Sequence, residues 1–300
     1  MERAGMITVF TPTYNRKYIL PKLYQSLCAQ TNKDFEWLVV DDGSTDGTEE
    51  WFAEIRQNDN AFPIVYIKQE NGGKHRAINR GVKDAKGELF FIVDSDDSLV
   101  PTAIEKMLAW ADDVRGLDKC AGVSGTCGTN AYNRIGEYFD DNADYIDATN
   151  LEREKYNLLG DKTEAYYTSL LLQYPFPEFE GENFITEAVV WDKIAKDGYF
   201  LRWYPDIIYI ADYLPDGLTQ SGNEKYKKNP QGTLYSSKVE LEVYPKSFKH
   251  KTLAINRYYQ CVKDSKDIKE VAKELGVSVF RCRFAIFTVR LGKAIKKILG

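Results

Sequence analysis

Histidine is nearly missing from this chain of 300 residues, which holds only His75 and His250. Cysteine is sparse and unpaired in pattern. Cys28, Cys120, Cys127, Cys261 and Cys282 are odd in number, widely spaced and without a C-x-x-C. A zinc site of nitrogen and sulfur ligands is therefore disfavoured, and free thiols in a reducing compartment are expected. Excess positive charge is absent too. Lys and Arg number 40 against 45 Asp and Glu, and the net −5 argues against nucleic acid as a partner. No apolar run approaches the ~20 residues that a membrane-spanning helix needs. The opening MERAGMITVF lacks the apolar core of a secretory signal, so a cytoplasmic chain is expected. Repeats and low-complexity tracts are also missing. What remains is a globular chain, 43% hydrophobic, with core enough for one large α/β domain and an appendage, or for two domains.

The order of elements is legible in the first hundred residues. Ile7 to Phe10 reads as a buried strand broken by Pro12, and Phe35 to Val40, Ile64 to Ile67 and Leu89 to Val93 read as three more. Between them, Ile19, Leu20, Leu23, Tyr24, Leu27 and Cys28 follow helical spacing. So do Trp51, Phe52 and Ile55, and then Ala77, Ile78, Gly81, Val82 and Ala85. Strands alternating with helices predict β-α-β units and a mainly parallel, Rossmann-like sheet. Past Ala121 the pattern loosens. Short helices are expected at Glu152 to Leu159 and at Ala165 to Leu172, an amphipathic helix near Thr186 to Lys196, and strands in YFLRWY and IIYIADYL. The polar run TQSGNEKYKKNPQG, residues 219–232, reads as a linker, with helices after it.

Ligands of such sheets sit beyond the carboxyl ends of the strands. There the chain places TPTYNR, DDGSTDGT, QENGGKH and DSDD, one after each strand. The last packs Asp94, Asp96 and Asp97 into four positions, where each carboxylate raises the cost of ionising the next. A plain turn accounts for one acid or two; three together imply something positive between them. Hard divalent cations take oxygen ligands and are completed by phosphate and water. Asp94 and Asp96 can both face one ion, or one the ion and the other a sugar hydroxyl, while Asp97 points elsewhere and caps a helix from Pro101. Asp42 can accept the imide N–H of a uracil ring; as plain structure its run is a turn with a helix cap at Ser44 or Asp46. Gly72 and Gly73 fit a loop with positive φ. Lys74 and Arg76 suit a phosphate or form a solvated pair, and His75 belongs to the rim or to the packing beneath it.

FTPTYNR, VVDDGSTDGT, NGGKHRAINRG and FIVDSDD, in this order and spacing, resemble the GT-A nucleotide-sugar domain of family 2 glycosyltransferases, among them enzymes of bacterial surface and capsular polysaccharide. The resemblance covers roughly residues 5 to 215. It implies a GT-A catalytic domain over 1–218 and a linker with a helical extension over 219–300. It further implies a metal-dependent, hexosyltransferase-type, inverting enzyme that moves a sugar from a nucleotide sugar, a UDP-sugar first, to a glycan or lipid-linked acceptor. Thr11, Pro12 and Tyr14 would line base and ribose, Asp42 would read the base, and Lys74 would sit near the nucleotide. Asp94-Ser95-Asp96 corresponds to the D-x-D motif, with Asp96 the ligand of Mn²⁺ or Mg²⁺. The family's base lies in a later Glu-Asp pair, and here the chain departs: EGENFITEAVVWDKI offers Glu182-Asn183 and Glu187-Ala188. Glu187, at the helix start, is preferred to Glu182 as the base that takes the acceptor's proton.

Other classes compete. A haloacid-dehalogenase-type phosphatase also carries D-x-D after an apolar strand, but on its first strand and followed by Gly-Thr. A receiver domain needs about half this length. A non-catalytic nucleotide-sugar-binding protein of the same fold would fit a lost base. The carboxyl end adds one more feature. Phe280, Phe284, Phe287, Leu291, Ile295 and Ile298 follow a helical stripe. Arg281, Arg283, Arg290, Lys293, Lys296 and Lys297 supply six positive charges, with no acid after Glu274. A helix docking its stripe on the protein explains the first two turns. A purely basic polar face suits an anionic membrane surface, placing the chain peripherally at the inner face.

Overall fold

The computed structural model describes residues 6–58, 60–138, 143–212 and 222–299, apart from the side chains of 293, 294 and 296–299. The expectations placed on 213–221, and on the side chains of Lys293, Lys296, Lys297 and Ile298, lie outside the described residues. Two compact units divide the chain: Met1–Pro175 with Asp197–Leu214, and Phe176–Lys196 with Pro215–Gly300. The division differs from a cut at residue 218, because the segment Phe176–Lys196 groups with the carboxyl-terminal helices.

The first unit is built on strands β1 (Ile7–Thr13), β2 (Phe35–Asp41), β3 (Ile64–Lys68) and β4 (Leu89–Ile92), all parallel and ordered β3-β2-β1-β4. Helices α1 (Leu20–Cys28), α2 (Thr48–Ile55) and α3 (Lys74–Asp84) alternate with them. After β5 (Ser98–Leu99) and α4 (Ala103–Val114) come β6 (Cys120–Gly128), β7 (Ile146–Ala148), β8 (Lys162–Tyr167), the single turn α5 (Thr168–Leu171) and, beyond α6 (Ala188–Lys196) of the second unit, β9 (Phe200–Ile210). β8 lies antiparallel between β4 and β6, and β9 runs parallel to β6. Two reversals restore the original sense, so β6 and β9 end at the same rim as β1 to β4.

Four local readings change. β1 runs through Pro12, which pairs with Val40; β4 leaves β1 after Phe10, so the missing N–H faces no neighbour there. The helix expected at Ala165 to Leu172 is strand β8 as far as Tyr167, because Ala165 and Tyr166 are claimed by β4 on one side and β6 on the other. The helix expected at Glu152 to Leu159 is a 3₁₀ turn, Asn150–Glu152, followed by turns that end near Asn157 in positive φ. Phe200 to Tyr204 of YFLRWY and Ile207 to Ile210 of IIYIADYL are parts of one strand, β9, whose register against β6 shifts where Pro205 interrupts the ladder.

The core of the unit packs on both sheet faces. Trp37 is wholly buried, its ring 5.9 Å from Tyr24 and 5.2 Å from Phe52. Removing a side chain of that size from water contributes about 3 kcal/mol. On the other face Phe10 stacks on Phe90 at 4.8 Å, and α3 comes so close that a Cβ on Gly81 would stand 2.2 Å from the Phe10 ring.

The second unit contains α6, α7 (Glu224–Lys227), α8 (Pro230–Val243), α9 (Phe248–Val262), α10 (Ile268–Leu275) and α11 (Val279–Leu299). Ile255, Tyr258, Val271, Leu275, Cys282 and Ala285 form its core. Its caps are written in the sequence. Asp267 accepts the N–H groups of Lys269 at 2.7 Å and Glu270 at 2.9 Å, Glu270 returns the bond, and Gly276 ends α10 at φ +68°.

Candidate active site

Strand ends bring the polar loops together, and side chains lock them. Ser44 Oγ accepts the Asn15 N–H at 2.8 Å, Asn15 Oδ1 accepts the Thr45 N–H at 2.8 Å, and Asp46 accepts the Lys17 N–H at 2.9 Å. Thus the loop after β1 is held to the loop after β2. Neither expected residue is the cap of α2, which is Gly47 at φ +85°; Asp46 accepts the Thr48 hydroxyl at 2.6 Å, and Ser44 is turned to Asn15.

Asp42 is buried and faces the loop after β3. Its Oδ1 accepts Gln69 Nε2 at 2.8 Å and the Gly72 N–H at 2.9 Å, and its Oδ2 accepts the Gly73 N–H at 2.7 Å. Asn71 Nδ2 adds a bond to its carbonyl at 2.9 Å. One carboxylate therefore shapes the whole glycine loop, with Gly73 at φ +95° where side-chain-bearing residues are strained. Its neighbour Asp41, wholly buried, accepts the Ser44 N–H at 2.8 Å and the Tyr66 hydroxyl, a support that sequence reasoning missed.

Gly73 hands over to α3, whose first residue, Lys74, reaches Asp94 with Nζ 2.7 Å from Oδ1. His75 is buried, 3% exposed. Asp94 and Asp96 are half-buried two positions apart. The Asp96 carboxyl is held above the usual range, first by burial and then by the charge of Asp94, while Arg16 and Lys74 draw it back. Arg16, within TPTYNR, is a second positive group of this rim that residue-by-residue reading passed over.

Asp97 does turn away, but not to a helix. α4 begins at Ala103 without a side-chain cap, and the Asp97 carboxylate instead accepts the Tyr209 hydroxyl and, at 2.7 Å, the Asp212 N–H. Burial pushes it up to about 7, with Asp94 and Asp96 adding and these two bonds holding it back. The Tyr209 oxygen also accepts the Asp94 N–H at 3.1 Å. One buried tyrosine from β9 thereby fixes both ends of DSDD. Thr11 lies inward of the rim, fully buried, its hydroxyl accepting Trp37 Nε1 at 3.0 Å; Pro12 is half-buried and Tyr14 is 50% exposed.

Among the described residues no cluster of three or more His, Cys, Asp and Glu side chains stands ready to hold a metal. Asp94 and Asp96 are nonetheless an all-oxygen pair whose mutual repulsion a hard divalent cation would relieve, with its other ligands coming from phosphate and water. The donor chemistry fits.

The two glutamates of the second unit differ sharply. Glu182 is buried, and its carboxylate accepts the Gln231 N–H at 2.7 Å and the Gly232 N–H at 2.8 Å, so it caps α8 from 49 residues away in the chain. Glu187 is half-buried and stands immediately before α6, its carbonyl accepting the Val190 N–H at 3.0 Å.

Residues 8–169 match the family model described as Glycosyl transferase family 2. Glycosyltransferase GlyA of Streptococcus pneumoniae is 38% identical over 112 residues, 36% of this chain and 16% of that protein. An uncharacterized glycosyltransferase of Haemophilus influenzae is 34% identical over 104 residues, 34% of this chain and 33% of that one. The matched stretch is thus a third or less of either relative. Among solved structures, S. aureus TarS 1-349 superposes with a TM-score of 0.59 at 20% identity, covering 96% of this chain and 92% of TarS. A form of it in complex with UDP-GlcNAc reaches 0.58 at 19% identity, with the same coverage. The mannosyltransferase PcManGT from Pyrobaculum calidifontis, in complex with GDP-Man and Mn²⁺, reaches 0.55 at 18% identity, covering 97% of this chain and 86% of PcManGT. These likenesses establish a GT-A fold.

Proposed function

The chain belongs to glycosyl transferase family 2, and from that premise we propose that it moves a sugar from a UDP-sugar to a glycan or lipid-linked acceptor with inversion at the anomeric carbon. The observation that carries the reading is the rim itself. Lys74 paired with Asp94, Asp96 beside them, and a glycine loop held by Asp42 all stand at the carboxyl ends of parallel strands.

Pro12 and Tyr14 line the base and ribose, with Thr11 beneath them. Asp42 keeps the glycine loop in shape and offers its remaining Oδ2 lone pair to the imide of uracil. Lys74 lends charge to the diphosphate. Asp96, with Asp94, would hold Mn²⁺ or Mg²⁺, which when bound supplies positive charge to the departing diphosphate. The acceptor oxygen attacks the anomeric carbon, the bond from that carbon to the diphosphate oxygen breaks, and the acceptor's proton passes to a carboxylate. Glu187 is that base: Glu182 is already committed to two backbone N–H groups of α8. A membrane-peripheral setting at the inner leaflet accords with a lipid-linked acceptor.

The test is a panel of nucleotide sugars with Mn²⁺ or Mg²⁺, reading release of the nucleoside diphosphate. One UDP-sugar consumed in a metal-stimulated manner is expected. Tight UDP binding without turnover of any donor, acceptors included, would instead make this a non-catalytic binding protein.

A further inference from the structure

Helix α11 has two apolar faces. Cys282, Ala285 and Ile286 are buried in the helical unit, where α11 packs on α9 and α10. At ~100° per residue, Phe280, Phe284, Phe287, Leu291 and Ile295 fall in a sector of roughly 80° on the opposite side. All five are exposed, from 46% for Ile295 to 78% for Phe280. The expectation that the first turns dock this stripe is therefore corrected: the helix docks Cys282, Ala285 and Ile286 and leaves the stripe outward. Phe248, the first residue of α9 and 57% exposed, extends the patch, its ring 5.9 Å from that of Phe284, which in turn lies 6.3 Å from Phe280. Contiguous apolar surface of this kind marks an interaction site.

Charge decides the occupant. Arg281 lies along one edge of the stripe and Arg283 and Arg290 along the other, all exposed, and no acid follows Glu274. A second copy packed face to face would bring these arginine edges together with nothing acidic on the helix to offset them. An anionic bilayer takes the apolar stripe into its acyl boundary and sets the arginines at its headgroups. No helix among the described residues is long and apolar enough to cross a membrane, so α11 would lie along the surface.

We propose that Phe280, Phe284, Phe287, Leu291 and Ile295, extended by Phe248, form an insertion face that seats this unit on anionic lipid. The proposal rests on the reading of a membrane-peripheral enzyme with a lipid-linked acceptor. The test uses the full chain and vesicles of phosphatidylcholine, with or without phosphatidylglycerol. The expected result is binding to the anionic vesicles only, weakened at least tenfold by raised salt, by Phe280→Ser with Phe287→Ser, and by Arg281→Gln with Arg283→Gln and Arg290→Gln. UDP binding should be unchanged in both variants, which shows that they fold. Binding to neither vesicle, equal binding to both, or wild-type binding by the phenylalanine variant would overturn it. So would a concentration-dependent dimer lost in that variant without lipid binding. Loss of donor turnover with vesicle binding intact would count against the catalytic reading and not against this one.

Discussion

Lys74 Nζ lies 2.7 Å from one Asp94 carboxylate oxygen and 3.0 Å from the other, joining the first residue of α3 to the residue two past the end of β4. The pair is only partly shielded, with side-chain exposures of 22% and 40%, so its own contribution to stability is about 1 kcal/mol or less. Its use is positional: it holds a cation at the edge of the acidic cluster. Lys74→Ala should leave the melting temperature nearly unchanged and weaken UDP binding roughly tenfold, the loss of one charge-assisted bond of about 1.4 kcal/mol. Calorimetric titration with UDP measures it, and an unaltered affinity would remove Lys74 from the donor site.

Asp96→Asn removes one of two repelling carboxylates, so the fold should tolerate it or gain slightly. Metal-dependent transfer should nevertheless fall by ~10²-fold or more, an electrostatic effect of about 3 kcal/mol on the departing diphosphate. Turnover at saturating Mn²⁺ is the measurement. Near wild-type rates, or activity that survives exhaustive chelation, would sink the metal assignment.

Glu182 and Glu187 should separate cleanly. Glu182→Gln leaves a buried amide nitrogen against two backbone N–H donors of α8, and should cost ~1–2 kcal/mol, visible as a lower melting temperature. Glu187→Gln should bind UDP normally while transfer drops ~10²- to 10⁴-fold. The reverse pattern would hand the base to Glu182.

Physical range explains what was legible. β1 to β4 announce themselves as apolar runs, and their loops as turn and charge signals, all within windows of a few residues. Asp94, Asp96 and Lys74 were therefore readable as one rim. The commitment of Glu182 to α8 was not, because its partners lie 49 and 50 residues away. Nor was the tie from Tyr209 to DSDD, which spans 112 residues. Strand β6, CAGVSGTCG, escaped for a different reason: it is buried throughout, yet built from small residues with little strand preference. Its neighbour β8 looked helical because Ala165 and Leu170 to Leu172 suit either period, and only pairing on both sides decides.

Those small residues in β6 are themselves testable. Gly122 sits at φ +145°, and a Cβ there would stand 2.0 Å from the Ala165 carbonyl oxygen, a backbone atom of β8. Nothing flexible can yield, so Gly122→Ala must part the two strands or twist one. The expected loss is about 3 kcal/mol, combining backbone strain with broken ladder bonds. β8 joins β4 to β6, and β6 carries β9 with Tyr209 and its bonds to Asp94 and Asp97. Destabilisation should therefore reach the rim: UDP affinity should fall along with the melting temperature, although Gly122 belongs to no polar loop. Gly116→Ala, where φ is also positive but the added Cβ meets nothing within 4 Å, is the control and should cost about 1 kcal/mol, leaving UDP affinity intact. If the two variants melt alike, the close approach of β6 to β8 is not what holds that side of the site.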